Sequence, residues 1–453
     1  MKSFPKGGHL LITCAAVALV SGCGGSQSVT VPPAATSQKP PLAHIVVIVQ
    51  ENRTFNNLFA GFPGATTTMT GTMIVGRGKN AKQEPVALKA TNLNDQVDLN
   101  HLHAAFLRAY DDGQMDAFNQ VKFVGTAFRE DKGPYQYVKR DQIKPYWELA
   151  AKYALADEMF QTQGSASFTA HQDLVRGGTA INSRASLIDL PTGVPPWGCD
   201  AASYTQTDLI TTSLRYEPGK GPFPCLSYAT LQNLLDAHSV SWKYYTPSEK
   251  TDEAGSLWNA FLAISSVYHH RKEWKAHISS PNTSIFSDIS QNALPAMSWV
   301  IPDGADSDHP AFGSDTGPSW VAQIVNAIGQ SPYWSSTAIV IVWDDWGGFY
   351  DPVKPPKLDN QGGPGFRVPM IVVSPFVPEN EISHTFYEFG SIVRFIEDNW
   401  QLGRLNTTDE TSASIANIFD FNQSPRPFQP VASKYDRGYF LSKKPSYSPV
   451  DNQ

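Results

Sequence analysis

Ala43-His44-Ile45-Val46-Val47-Ile48-Val49, closed by Gln50-Glu51-Asn52, is an unbroken apolar run rich in β-branched residues. Such a run suits a strand buried on both faces, as in a parallel sheet. Ala338-Ile339-Val340-Ile341-Val342-Trp343 repeats the pattern and ends at Asp344-Asp345, with Gly347-Gly348 just beyond. Val368 to Val373, ending at Ser374-Pro375, is a third run, and Met297 to Ile301 a fourth. Helical spacing lies between them. Pro318 to Ile328 places Val321, Ile324, Val325 and Ile328 on one side, with Pro early and Gly329 just past the end. Ser391 to Trp400 and Tyr228 to Ala237 read as further helices. Strand and helix in alternation predict a doubly wound, mostly parallel α/β sheet. The Pro/Gly-rich stretch from Ile188 to Gly221 reads as a loop-rich cap or insertion over it.

The chain of 453 residues is long enough to bury a large core, with 41% hydrophobic and 11% aromatic residues. Its 34 prolines and 33 glycines argue against a helical bundle or a repeat array. Charged residues make up 17%, the formal net charge is -7, and no run of Lys or Arg occurs. A nucleic-acid partner therefore has no electrostatic footprint here.

The first residues read as an export signal. Lys2 and Lys6 precede a mostly apolar stretch from Leu10 to Val20, then Val20-Ser21-Gly22-Cys23, which has the form of a bacterial lipobox. Residues 1–22 are thus expected to be a lipoprotein signal peptide and Cys23 a lipidated residue. Residues 23–41 form a Gly/Ser/Pro/Thr-rich linker, 42–430 the catalytic domain and 431–453 a polar tail on the surface. Lipidation would tether the chain to a membrane surface, facing the periplasm or the cell exterior, without a spanning helix. With Cys14 in the signal and Cys23 lipidated, Cys199 and Cys225 remain, and in an oxidising compartment they are expected to pair.

In open α/β sheets, ligands bind beyond the carboxyl ends of the strands. Glu51-Asn52 and Asp344-Asp345 close two of the buried runs. Brought together, three carboxylates and an amide oxygen make a site suited to a divalent cation, whose identity the residues leave open. Adjacent ligands cannot both point one way from a regular strand, so a turn is implied at each strand end. Ser167, in Gly164-Ser165-Ala166-Ser167-Phe168-Thr169-Ala170-His171-Gln172, stands at a predicted helix start. It reads equally as a side-chain N-cap and as a nucleophile favoured by the free helix amides, with Ser165 as a competitor. His101 and His309 each lie among acids and turn residues near a strand end. One can donate to a phosphoryl oxygen and the other protonate a leaving group. His269-His270 read as a solvated helix face.

Glu51-Asn52-Arg53-Thr54-Phe55-Asn56 resembles the opening motif of the bacterial phosphoesterase family that includes phospholipases C and an acid phosphatase. Asp98 to His101, Gly113 to Asp116, Ser167 to Gln172 and Asp344 to Asp351 match further motifs of that family in order, over Ala43 to about Phe428. The resemblance implies an alkaline-phosphatase-like fold. It also implies Glu51, Asn52, Asp344, Asp345 and Ser167 as metal ligands, Ser167 rather than Ser165 as nucleophile, and His101 and His309 as phosphoryl-binding or acid/base residues. Three positions depart from the family pattern: Asp345 stands for the usual Glu, Trp346 for a small or polar residue, and Pro352 for a His.

The activity implied is metal-dependent hydrolysis of a phosphoric ester, of phospholipase C type, through a phosphoserine. Its substrate would be a phospholipid head group or a small phosphomonoester. An acid phosphatase needs the same residues, and a lipid-anchored binding protein that has lost catalysis is the alternative from another class. An apolar groove near Trp197, Trp346 and Phe349 would favour a lipid.

Overall fold

The computed structural model describes residues 42–76, 78–95, 98–124, 132–250, 252–311, 314–356 and 359–444. The export signal, Cys23 and the linker of the sequence reading lie outside these residues, as does the end of the tail. Eight strands form the main sheet: β1 His44–Gln50, β2 Ala154–Ala156, β3 Trp242–Tyr245, β4 Ile278–Ser279, β5 Met297–Val300, β6 Thr337–Trp343, β7 Met370–Val373 and β8 Glu381–Ser383. Their spatial order is β4-β3-β5-β1-β6-β7-β2-β8. All pairings are parallel except those of β7, which runs antiparallel to β6 and β2. The mostly parallel α/β architecture is therefore as the sequence implied, and the run ending at Ser374 is the strand that opposes the rest.

Six of the seven β1 residues are buried, from Ile45 to Gln50, and so is every residue of β6. Because alternate side chains leave opposite faces of a strand, burial of every position requires both faces of the sheet to be covered. The covering helices include α1 Lys144–Lys152, α2 Ser167–Arg176, α3 Gly317–Gly329 and α4 Phe389–Trp400. Helix α3 packs against α1, and α4 against α2. The helix predicted from Pro318 begins one residue earlier and that from Ser391 two residues earlier, while Tyr228 to Ala237 contracts to Leu231–Ala237. At the N-cap of that last helix, Thr230 N donates to Asn233 Oδ1 at 2.9 Å, which sets its start.

The cap is better ordered than a loop-rich insertion. It holds a four-stranded antiparallel sheet of Ala180–Asn182, Ala185–Ile188, Asp208–Thr211 and Tyr216–Glu217. The expected Cys199–Cys225 disulfide is present. No helix among the described residues is long and apolar enough to cross a membrane.

Candidate functional site

β1 lies between β5 and β6, so the three loops leaving their carboxyl ends share one edge of the sheet. They deliver Glu51-Asn52, Asp308-His309 and Asp344-Asp345. The loops are bonded to one another: Glu51 N donates to Ser307 O at 2.8 Å and Asp344 N to Gln50 O at 2.9 Å. The turn required after β1 is made by Asn52, which is left-handed at φ 58°. After β6 it is made by Gly347 and Gly348, at φ 56° and 80°. Asn carries little penalty in this region and Gly none.

Each aspartate divides its oxygens between scaffold and site. Asp344 Oδ1 accepts from the backbone N–H of Asn52 at 2.9 Å and of Asp345 at 2.7 Å. Its Oδ2 is buried without a hydrogen-bond donor and lies 3.9 Å from His171 Nε2. Asp345 Oδ1 accepts from Gly347 N at 2.8 Å, while Oδ2 accepts from the Ser167 hydroxyl at 3.1 Å and sits 3.5 Å from His101 Nε2. Burial, and then the neighbouring Glu51 charge, push the Asp344 carboxyl well above the usual carboxylate range. A cation would relieve both penalties at once.

His171 supplies the group that relates these elements. It lies one helical turn after Ser167 on α2, so both side chains leave the same face. Its Nε2 is 3.0 Å from Glu51 Oε1, and ligand atoms of Glu51, His171 and Asp344 all lie within 4.8 Å of one another. Two carboxylates and an imidazole, with the Asn52 Oδ1 also buried and lacking a hydrogen bond, are a donor set that fits a divalent ion. His171 lies within the Ser167 to Gln172 motif, where the sequence alone gives it no role. The four-residue spacing from Ser167 was the signal that could have found it.

Ser167 is the first residue of α2, and the N-cap position belongs to the extended Ala166. The N-cap reading of Ser167 is therefore replaced: its hydroxyl is turned to Asp345 and away from its own helix amides. Ser165 is occupied elsewhere. Its Oγ accepts from Asp189 N at 2.7 Å and meets Thr169 Oγ1 at 2.5 Å.

His101 Nδ1 faces Leu99 O at 2.7 Å, which places the neutral ring's proton there and leaves Nε2 to accept from the Asn52 amide at 3.0 Å. His309 is held by Nδ1 donating to Pro310 O at 2.7 Å. The two imidazoles meet edge to face with centroids 6.4 Å apart, and Trp258 stacks beside both His171 and His309. Buried Arg53, pushed down to about 10 by that burial, clasps the carbonyl of Asp308.

The aromatic residues expected to line a substrate groove are buried. Trp346 is fully buried among Phe118 and Phe366 and donates its indole N–H to His101 O at 3.0 Å. Phe349 is fully buried and Trp197 is 5% exposed. Trp346 therefore braces His101 from behind and does not narrow an open site. Asp351, before the departing Pro352, forms a buried bidentate pair with Arg367 at 2.8 and 3.1 Å, a structural role.

The fold and this cluster together define a class: an α/β chain with a buried carboxylate–histidine group and a serine at the carboxyl edge of its sheet. The Phosphoesterase family model matches residues 42–403, and the chain belongs to the Phosphoesterase family. It is 24% identical to the non-hemolytic phospholipase C of Burkholderia pseudomallei, over 90% of this chain and 63% of that protein. It is 23% identical to the hemolytic phospholipase C of Pseudomonas aeruginosa, over 83% of this chain and 56% of that protein. The chain thus spans about three fifths of the length of these two relatives. A solved alkaline phosphatase superfamily protein from Vibrio parahaemolyticus aligns over 80% of this chain and 69% of its own, at 10% identity and a TM-score of 0.34, a likeness too slight to carry an argument.

Proposed function

We propose that this chain is a metal-dependent phosphoric ester hydrolase of phospholipase C type, with Ser167 as its nucleophile. The observation that carries the reading is the Ser167 hydroxyl, 3.1 Å from Asp345 Oδ2, beside the Glu51–His171–Asp344 group. Family membership and the phospholipase C relatives support the same chemistry.

Glu51, His171 and Asp344 would hold a divalent cation, with Asn52, Asp345 and Ser167 as further ligands. Bound there, the cation supplies Lewis-acid stabilisation of phosphoryl charge and a more acidic serine hydroxyl. Asp345 Oδ2 orients the Ser167 O–H and takes its proton as Oγ attacks phosphorus in line with the departing alcohol, and returns it to Oγ when water cleaves the phosphoserine. The free N–H groups at the start of α2 and the Asn52 amide face charge on the phosphoryl oxygens. His309 gives a proton to the leaving oxygen, and in the second half-reaction takes one from the water that cleaves the phosphoserine. His101, fixed by Leu99 and Trp346, would bind a phosphoryl oxygen only as the imidazolium, with Nε2 then donating to that oxygen in place of accepting from Asn52.

Residues 42–430 form the catalytic unit in this reading. The chain is exported and tethered by lipid on Cys23 to a membrane surface. Its substrate is a phosphodiester head group, with phosphomonoesters as the rival. The test is a rate comparison, with and without a chelator, of p-nitrophenyl phosphate, bis-p-nitrophenyl phosphate, p-nitrophenylphosphorylcholine and phosphatidylcholine vesicles. Chelator-sensitive turnover of the diesters is expected. Turnover confined to the monoester transfers the assignment to a phosphatase, and indifference to chelator removes the metal.

A further inference from the structure

The family match ends at residue 403, yet the chain beyond it returns to the edge of the sheet where the candidate site lies. Residues 431–443 run along α3 and end in a short helix, α5 Arg437–Ser442. Val431 and Asn326 exchange two hydrogen bonds, 2.8 and 3.0 Å, between main chain and amide side chain. Tyr435 donates its hydroxyl to Asp315 at 2.8 Å, and Lys434 pairs with the same carboxylate at 2.6 Å. Phe440 is buried against Trp320, with ring centroids 5.4 Å apart. The described residues of the tail are mostly exposed, yet they are fastened along α3.

Its last anchor is Lys443. The ammonium reaches both oxygens of Asp303, at 2.8 and 2.9 Å, and Asp306 Oδ1 at 2.9 Å. Asp303 caps the start and Asp306 closes the end of the short 3₁₀ turn Gly304–Asp306, in which Asp303 accepts from Asp306 N at 3.0 Å. The next residue, Ser307, accepts from Glu51 N, and Asp308 and His309 follow. Asp306 is buried and Lys443 only 15% exposed, so solvent does little to screen the like charges if the ammonium is removed.

We propose that residues 431–443 are an intramolecular clamp on the loop that carries His309, and that Lys443 is a positioning residue for that histidine. Lys443 touches no reacting atom. It cancels the repulsion between Asp303 and Asp306, and so keeps the turn in the conformation that presents Ser307 to Glu51 and His309 to the site. The role assigned to His309 rests on the proposed phosphoester hydrolysis; the clamp itself rests on the contacts above.

The test uses the full chain with Lys443→Met, Lys443→Arg, and Lys443→Met combined with Asp303→Asn and Asp306→Asn. On bis-p-nitrophenyl phosphate, Lys443→Met is expected to lower kcat about tenfold with KM changed by less than about twofold, because displacement of a positioned group acts on the chemical step. Arginine should restore most of the rate, and the triple variant should return to within about threefold of the parent, since it removes the repulsion along with the cation. Amide hydrogen exchange at residues 303–309 supplies a readout independent of activity: faster in Lys443→Met, parental in the triple variant. Parental exchange in Lys443→Met overturns the clamp, as does a triple variant as loose as the single one. Raised exchange with unchanged kcat overturns the positioning role. If Lys443→Met does not fold, a folded triple variant with parental exchange sustains the proposal and an unfolded one overturns it. A parent that turns over no phosphoester rejects the functional reading, and the exchange measurement then judges the clamp alone.

Discussion

Ser167 Oγ and Asp345 Oδ2 are 3.1 Å apart although 178 residues separate them in the chain. The contact exists because α2 begins where β6 ends, and because Asp345 has its other oxygen tied to Gly347 N. With Ala166 at the N-cap, the Ser167 hydroxyl carries no capping task and is free to face the carboxylate. Four consequences can be measured.

Ser167→Ala should abolish release of p-nitrophenol, by roughly a thousandfold or more, with the thermal midpoint unchanged. Ser165→Ala should keep activity within about tenfold, because Ser165 serves Asp189 and Thr169. Near-parental turnover in the Ser167 variant would sink the nucleophile assignment.

His171→Ala removes one of three groups around the candidate cation position. Since even outer-shell changes at metal sites weaken binding about 10–100-fold, affinity should fall at least that far. Metal content by elemental analysis after dialysis is the measurement, and full retention would exclude His171 as a ligand.

Gly347→Ala should be disproportionately harmful for a one-carbon change. Gly347 is left-handed, and a Cβ there would stand 2.1 Å from Asn52 O, a backbone atom that cannot swing aside. A cost of about 1–3 kcal/mol is expected from the conformation alone, with a further loss as the β1 and β6 loops separate. Urea midpoints and activity test it; a variant equal to the parent in both would refute the close approach.

Asp189 sets a pH dependence of stability. Burial raises its carboxyl to about 7 from the ordinary 3.8, opposed by the His103 N–H that donates to it. The folded chain therefore holds a proton that the unfolded chain releases. The contribution is fully present below about pH 4 and lost as pH rises through about 7, on the order of 4 kcal/mol in all. Asp189→Asn, which keeps an acceptor for His103 N, should flatten this part of the curve. Urea midpoints between pH 4 and 8 compare the two, and identical slopes would reject the assignment.

The buried runs at Ile45 and Ala338, the helix after Gly164 and the cysteine pair were legible because local chemistry dictates them. An unbroken β-branched stretch cannot be half-exposed, and a Gly/Asn turn after it is the cheapest way to aim adjacent polar residues at one edge. His171 was legible only in outline. Its helical face follows from spacing, but its meeting with Glu51 depends on how α2 sits against β1. Trp346 was expected beside an apolar groove and is instead fully buried, since nothing local reveals that its indole N–H is satisfied by a carbonyl 245 residues away.

By itself the sequence determined the α/β alternation, the strand ends that carry the acids, and membership of a motif-defined family, all set by local pattern. Tertiary structure alone decided which strands are neighbours, and hence that β1, β5 and β6 place Glu51, His309 and Asp344 together. It also decided that β7 runs against the rest, that Ser167 faces Asp345 while Ser165 does not, and that Lys443 closes back on Asp303. The physical reason is the same for each. Strand order, helix docking and ion pairing are settled by burial and charge balance between segments far apart in the chain, which no local window contains.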